Sequence, residues 1–311
     1  MILVTGATGT TGTDVVRHLA ARGAPVRALT RDPARASLPE GVRAVPGHPR
    51  DPASLAAAFE GVEAAFLVGV FGPDDGPYDQ GLVAAARAAG VRRIVKLSAI
   101  ATGDPRLGSF GTWHLPGEEA VRASGLEWTI LRPSSFASNT LGWAPAISEG
   151  APVPNSMGDG RQGVVDPRDL AEAAVAALLD ARHAGRTYTL TGPEVLSAHE
   201  QAAVLADVIG RPVRLQDLTP EEHAARFRAA GLPEAHARDF LLAARVVREG
   251  GNAVVTEDMT EVLGRPARSY REWATDHKGA FQDPHPDHPG HRNRAPAGAG
   301  RRIAAVGRDS P

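Results

Sequence analysis

The sequence predicts a doubly wound α/β fold, a parallel sheet with helices on both faces, followed by a smaller, mostly helical C-terminal lobe. Three observations lead there. Over roughly the first 190 residues, short β-branched apolar runs alternate with segments of helical apolar spacing, which implies right-handed βαβ crossovers. The run Ala64 to Val70 is apolar nearly throughout, as a parallel strand buried on both faces requires. The first strand passes directly into the first helix through the glycine-rich turn Gly6-Ala7-Thr8-Gly9-Thr10-Thr11-Gly12.

The elements follow in order. Met1 to Thr5 is the first strand. Thr13 to Arg22 carries Val15, Val16, Leu19 and Ala20 at helical spacing and stops at Gly23. Val26 to Leu29 and Arg43 to Val45 read as the second and third strands. Asp51-Pro52 opens a helix through Leu55, Ala56 and Phe59, ended by Gly61. After the strand Ala64 to Val70, Tyr78 to Ala89 is helical up to Gly90. Arg93 to Ser98 is strand five, Glu118 to Ser124 a helix, and Leu126 to Leu131 strand six. Asp169 to Ala181 is an Ala-rich helix and Thr187 to Leu190 a further strand. Helical spacing returns over Ala198 to Ile209, Pro220 to Ala230, Glu234 to Glu249 and Thr256 to Asp276. These boundaries divide the chain into a sheet domain over 1–192, to which the irregular stretch 134–162 adds a lid, and a helical substrate lobe over 193–277. Residues 278–311, rich in Pro, His, Arg and Gly, read as a disordered tail.

Composition excludes several classes. The 311 residues are 42% apolar and 23% charged, enough for a sizeable core. With no cysteine there is no disulfide, zinc–thiolate site, iron–sulfur cluster or thiol nucleophile. A net charge of -2 gives no reason to expect nucleic acid or an anionic membrane as partner. No apolar run reaches the roughly 18 residues of a membrane span. The N-terminus opens on a strand without a basic n-region, so a cytoplasmic enzyme is the expectation.

The glycine turn carries the chemistry. A helix N-terminus offers free N–H groups and the positive end of its dipole to a diphosphate. Gly6 permits the tight turn, Gly9 lets the backbone approach the diphosphate, and Gly12 lets helix and strand pack closely. The threonines Thr8, Thr10 and Thr11 lie between them. The end of strand two meets the adenosine ribose, and an acidic residue there selects NAD. Here Thr30-Arg31 occupies that place, a hydroxyl and a guanidinium suited to a 2′-phosphate. Asp32 is one position late and precedes Pro33, which suits a turn cap better than a ribose. NADP(H) is therefore expected over NAD(H).

With Lys96-Leu97-Ser98-Ala99 on strand five and Ser124-Gly125-Leu126-Glu127-Trp128-Thr129-Ile130-Leu131-Arg132-Pro133, these residues resemble the NmrA-like atypical short-chain dehydrogenases/reductases, a Rossmann family. Leu263-Gly264-Arg265-Pro266 resembles that family's end, so the likeness covers about residues 1–277. The resemblance implies NAD(P)H-dependent quinone and related reductases, or redox-sensing regulators that bind the dinucleotide without turnover. It implies Gly69, Val70 and Phe71 along the adenosine and diphosphate, and Ser98, Ala99, Pro133, Ser134 and Phe136 beside the nicotinamide. One departure is Gly47-His48-Pro49, where relatives carry Gly-Asp for the adenine.

The other departure concerns catalysis. Short-chain dehydrogenases use Tyr-x-x-x-Lys as proton donor and ribose clamp. The two lysines are Lys96 and Lys278, and four residues before them stand Arg92 and Ala274. The pair is absent; Phe110 and His114 occupy the matching positions. His114 is the candidate acid/base: an imidazole titrates near neutral pH, so it can donate a proton or hydrogen-bond a quinone oxygen, and the alternative is a hydrogen bond to the ribose or a loop carbonyl. Trp113, Trp143 and Met157, with Phe136, Leu141 and Ile147, can line a flat apolar pocket for an aromatic or quinone-like substrate. The expected function is an NADPH-dependent reductase of quinone-like or conjugated carbonyl compounds working without the Tyr/Lys pair. A dinucleotide sensor acting through a protein partner, or an isomerase or cyclase retaining the dinucleotide, are the alternatives, and a homodimer is open. His277, His285, His288 and His291 lack a fold that fixes ligand geometry, and Asp74, Asp75 and Asp79 read as a solvated turn and helix N-terminus, so no metal site is expected.

Overall fold

The computed structural model describes residues 1–48, 50–69 and 76–282. Strands β1 (Ile2–Val4), β2 (Val26–Thr30), β3 (Arg43–Pro46), β4 (Ala64–Leu67), β5 (Arg93–Leu97) and β6 (Glu127–Pro133) alternate with helices α1 (Thr10–Ala21), α2 (Pro52–Phe59), α3 (Gly76–Ala88), α4 (Ser109–Thr112) and α5 (Leu115–Arg122). Then come β7 (Ser135–Phe136), α6 (Ala144–Ser148), β8 (Val153–Asn155), β9 (Arg161–Val165), α7 (Pro167–Leu179) and β10 (Arg186–Leu190). The chain continues through β11 (Val195–Ser197), α8 (Ala198–Ile209), β12 (Leu215–Asp217), α9 (Pro220–Ala229), α10 (Glu234–Arg248), α11 (Asp258–Leu263) and α12 (Tyr270–His277).

The predicted fold class is the observed one. Seven parallel strands form one sheet in the order β10-β6-β5-β4-β1-β2-β3, with the reversal of strand order between β1 and β4. Alternate strand residues supply two cores. Val4, Ala28, Phe66, Val95 and Leu131 pack on α1 and α7, while Leu3, Leu29, Leu67, Ile94 and Ile130 pack on α2, α3 and α5. In such sheets ligands gather outside the carboxyl ends of the strands, at the switch point.

Several expectations shift in detail. Helix α5 starts at Leu115, three residues before the predicted Glu118, because Pro116 suits a first turn that needs no N–H there. His114 therefore becomes its N-cap residue. The stretch 134–162, read as irregular, contains β7, β8 and the start of β9, strands too short to show a period. The segment from Thr256 was assigned to the helical lobe, but α11 buries Met259 and Val262 in the sheet core. Asp258 accepts the Thr189 backbone N–H at 2.6 Å, so the segment covers the edge strand β10. The lobe has its own core of Leu205, Ile209, Tyr270, Trp273 and Phe281. Phe281 sits in the turn Lys278–Phe281, inside the stretch read as tail from 278. The rest of that stretch, 283–311, with His285, His288 and His291, lies outside the described residues, as do Asp74 and Asp75.

Candidate functional site

The turn between β1 and α1 is built on backbone alone. Gly6 has φ +60°, a left-handed conformation that favours glycine. Its carbonyl accepts the Gly9 N–H at 2.9 Å. Gly9 precedes α1 without any side-chain cap, leaving the first N–H groups of a twelve-residue helix to an external acceptor. A Cβ on Gly12 would lie 2.1 Å from the Gly6 carbonyl oxygen and 2.7 Å from its carbon. Thr8, Gly9 and Thr10 are exposed at the mouth of the turn, whereas Thr11 is buried. This cradle fits a dinucleotide diphosphate.

At the β2 exit Arg31 is exposed, and among the described residues no group pairs with its guanidinium. Thr30 Oγ1 accepts the Asp32 N–H at 3.4 Å, and the Asp32 carboxylate makes no capping bond, contrary to its expected role. Past β3, the Arg50 guanidinium lies 5.1 Å over the Tyr78 ring and His48 meets the same ring at 6.2 Å. Gly69 follows β4; Val70 and Phe71 lie outside the described residues.

Beyond β5 and β6 lies a buried polar network. Glu118, fully buried, accepts from Arg132 through both oxygens at 2.8 and 2.6 Å, and from the Ser98 hydroxyl at 2.6 Å. Burial alone would raise the Glu118 pKa, but the Arg132 and Ser98 hydrogen bonds hold it below the usual carboxylate range. Glu118 thus ties the exits of both strands to α5. Deeper, Lys96 pairs with Asp79 of α3 and donates to the Leu97 carbonyl at 3.0 Å. Asp79 lies in the first turn of α3, as expected of a helix N-terminus, but it is 1% exposed, so the solvated setting expected for it is corrected. Its place is set by close approach: a Cβ on Gly69 or Gly117 would lie 2.5 or 2.4 Å from its carboxylate oxygens. Lys96 is thereby held inside the protein, away from the ribose role its type has in short-chain dehydrogenases.

His114 is 92% buried, being 8% exposed, and its Nδ1 has no partner. Burial pushes its pKa down to about 3, and the positive charges of Lys96 and Arg132 add to this despite the opposing Glu118. Burial thus favours the neutral imidazole over the cation expected to titrate near neutral pH. It can donate or accept a hydrogen bond but does not carry a proton to deliver. Beside it Trp113 is half-buried, its Nε1 also without a partner, with its ring 4.6 Å from Phe110. Ser134, which follows β6, has a buried hydroxyl without a partner. Pro133 is buried, Ala99 half-buried, and Phe136 packs on the sheet core. The proposed pocket residues are not brought together as one wall. Trp143, with Leu141 and Ile147, packs on the lobe core, and Met157 accepts from Gln162 Nε2 at 3.5 Å. Among the described residues no cluster suits a metal ion, and no helix is long and apolar enough to cross a membrane.

The reading missed Glu118 and the Lys96–Asp79 pair. The available signal was a charged residue inside a strand buried on both faces, Lys96 in β5 and Arg132 in β6. Each demands a buried counter-charge.

The fold and the glycine cradle define a dinucleotide-binding Rossmann protein, and comparison with known proteins agrees. A family described as NAD(P)H-binding matches residues 6–181. The chain is 45% identical over 284 residues to the (4-alkanoyl-5-oxo-2,5-dihydrofuran-3-yl)methyl phosphate reductase of Streptomyces griseus, covering 90% of this chain and 99% of that protein. It is 36% identical over 283 residues to the NAD(P)H azoreductase of Xenophilus azovorans, covering 90% and 99%. The NADPH complex of an NADPH-dependent quinone oxidoreductase from Escherichia coli superposes with a TM-score of 0.79 at 28% identity, covering 89% of this chain and 99% of that one. The chain belongs to this NAD(P)H-binding family, in agreement with the NmrA-like resemblance, and is an NAD(P)H-dependent oxidoreductase.

Proposed function

We propose that this protein is an NADPH-dependent reductase of conjugated carbonyl and quinone-like acceptors. The observation that carries the reading is His114, a neutral, buried imidazole with an unpartnered Nδ1 beside the β5 and β6 exits, in a chain without the Tyr/Lys pair. Gly6, Thr8, Gly9, Thr10 and Gly12 would hold the diphosphate, with Thr11 behind them. Thr30 and Arg31 would take the 2′-phosphate. Gly69 would lie along the diphosphate, and Ala99, Pro133, Ser134 and Phe136 beside the nicotinamide, with Ser98 holding Glu118. When bound, the reduced nicotinamide supplies a hydride.

The chain's own groups then set which acceptors suit. A neutral His114 orients the acceptor and stabilises the negative charge growing on its oxygen by hydrogen bonding. The proton that completes reduction comes from water. Such a site serves acceptors whose anion is delocalised through conjugation better than isolated ketones, which need a strong acid at the oxygen. The names of the relatives support this: a dihydrofuranone reductase, an azoreductase and a quinone oxidoreductase.

Titration with NADPH and NADH, followed by absorbance assays with 2-methyl-1,4-naphthoquinone and conjugated lactones, tests the reading. Tight NADPH binding with no oxidation across that panel would overturn it. His114→Phe is expected to lower the rate about 100-fold, the scale of one lost oxyanion donor, with NADPH affinity unchanged. No inflection near pH 6.5 should come from His114; one that vanishes in the variant would refute the neutral-donor role. The same depressed pKa makes the unfolded chain bind more protons between about pH 6.5 and 3, so His114 lowers stability as pH falls through that window.

Arg31→Ala is expected to weaken NADPH binding about tenfold or more while leaving NADH nearly unchanged, since a charge-assisted hydrogen bond to phosphate is lost. Equal losses for both would remove the NADP assignment.

A further inference from the structure

Aromatic rings run in one continuous row from His114 to the molecular surface. The Trp113 ring lies 6.0 Å from His114 and 4.6 Å from Phe110. Phe110 meets Phe240 of α10 at 4.9 Å, and Phe240 meets Phe227 of α9 at 5.2 Å. The inner end of the row carries two buried polar atoms without partners, Trp113 Nε1 and His114 Nδ1. The outer end is open. Phe240 is 43% exposed, and α9 buries none of its residues.

The α9–α10 hairpin is not loosely placed. Asp239 of α10, itself 4% exposed, accepts the Ser109 N–H at 3.2 Å and the Ser109 hydroxyl. Gly108 has φ +58°, and a Cβ there would lie 2.4 Å from the Asp239 carboxylate. The hairpin is thus keyed to the segment that leads from β5 to His114. At its other end α10 packs on β9, where a Cβ on Gly160 would lie 2.7 Å from the Val247 carbonyl.

We propose that this hairpin is the outer wall of the acceptor site, and that Phe227 and Phe240 are specificity-determining residues gripping the acceptor's apolar body. The acceptor's oxygen would sit at the polar inner end, and an alkyl chain or second ring along the row. The proposal rests on the reductase reading for the identity of the ligand. Two ordinary features of the row fit it: wide, rigid aromatic faces bind alkyl and aryl groups with little loss of side-chain freedom, and each buried methylene adds affinity of about three- to fourfold.

The test uses the full chain and 2-alkyl-1,4-naphthoquinones from methyl to hexyl. Their binding to the NADP⁺-loaded protein is measured by calorimetry, and their turnover by NADPH oxidation. The wild type is expected to tighten about threefold per added methylene. Phe227→Ala and Phe240→Ala truncate side chains outside the buried faces of α9 and α10, and far-UV circular dichroism checks that both variants fold. They should lose most of the chain-length dependence, so that their deficit against wild type grows with each added methylene and is smallest for the methyl compound. A wild-type slope retained in both variants, no slope in the wild type, or no binding of any member overturns the wall. If the slope is present in the wild type and disappears in the variants while no member oxidises NADPH, the wall stands and the reductase reading fails.

Discussion

Gly12→Ala is expected to weaken NADPH and NADH binding at least about 100-fold, close to 3 kcal/mol. The added methyl would sit 2.1 Å from the Gly6 carbonyl oxygen, 2.7 Å from its carbon and 3.0 Å from the Ala7 Cα. All three are backbone atoms, so no rotamer change relieves the overlap. The Gly6–Gly9 turn must move away from α1, and with it the N–H groups that face the diphosphate. Gly142→Ala is the matched control. Its Cβ meets nothing within 4 Å, and its φ is not positive. Fluorescence titration, with far-UV circular dichroism to confirm the fold, measures both. Binding by Gly12→Ala within twofold of wild type would refute the cradle.

The second large effect lies one layer deeper. Lys96→Met is expected to cost about 3–5 kcal/mol, because it removes one partner of a buried ion pair that joins β5 to α3 in a space closed by Gly69 and Gly117. For a chain of this size that is a fall in melting temperature of roughly 5–8 °C. The double variant Lys96→Met/Asp79→Leu should regain most of the loss, since a buried ion pair contributes little net stability beside apolar residues of similar shape. Thermal melts of the two single variants and the double variant close the cycle. If Lys96→Met melts within about 2 °C of wild type, the pair does not hold α3 to β5. A double variant no better than Lys96→Met would show instead that the site needs the carboxylate itself.

Much of this protein was legible from local pattern. The seven parallel strands and their flanking helices follow from apolar period and length, and the diphosphate cradle follows from three glycines between a strand and an amphipathic helix. The place of Arg31 directly after strand two is likewise a local feature, readable from the end of that strand. These features depend on residues close in sequence, so the chain alone determines them.

Tertiary structure decided what depends on burial and on distant partners. His114 looks like a titrating acid in the sequence, and burial in the fold favours its neutral form, because only packing tells how much water it loses. Asp79 looks like a solvated turn residue and is instead a partner of Lys96, seventeen positions away, in a space cleared by two glycines. Glu118 lies one turn from His114 yet takes its meaning from Arg132 and Ser98 on neighbouring strands. The aromatic row joins Phe110 to Phe227 and Phe240 across more than a hundred residues. Periodicity records which face of an element is buried; it does not record what lies against that face, and the chemistry of this site is set by what lies there.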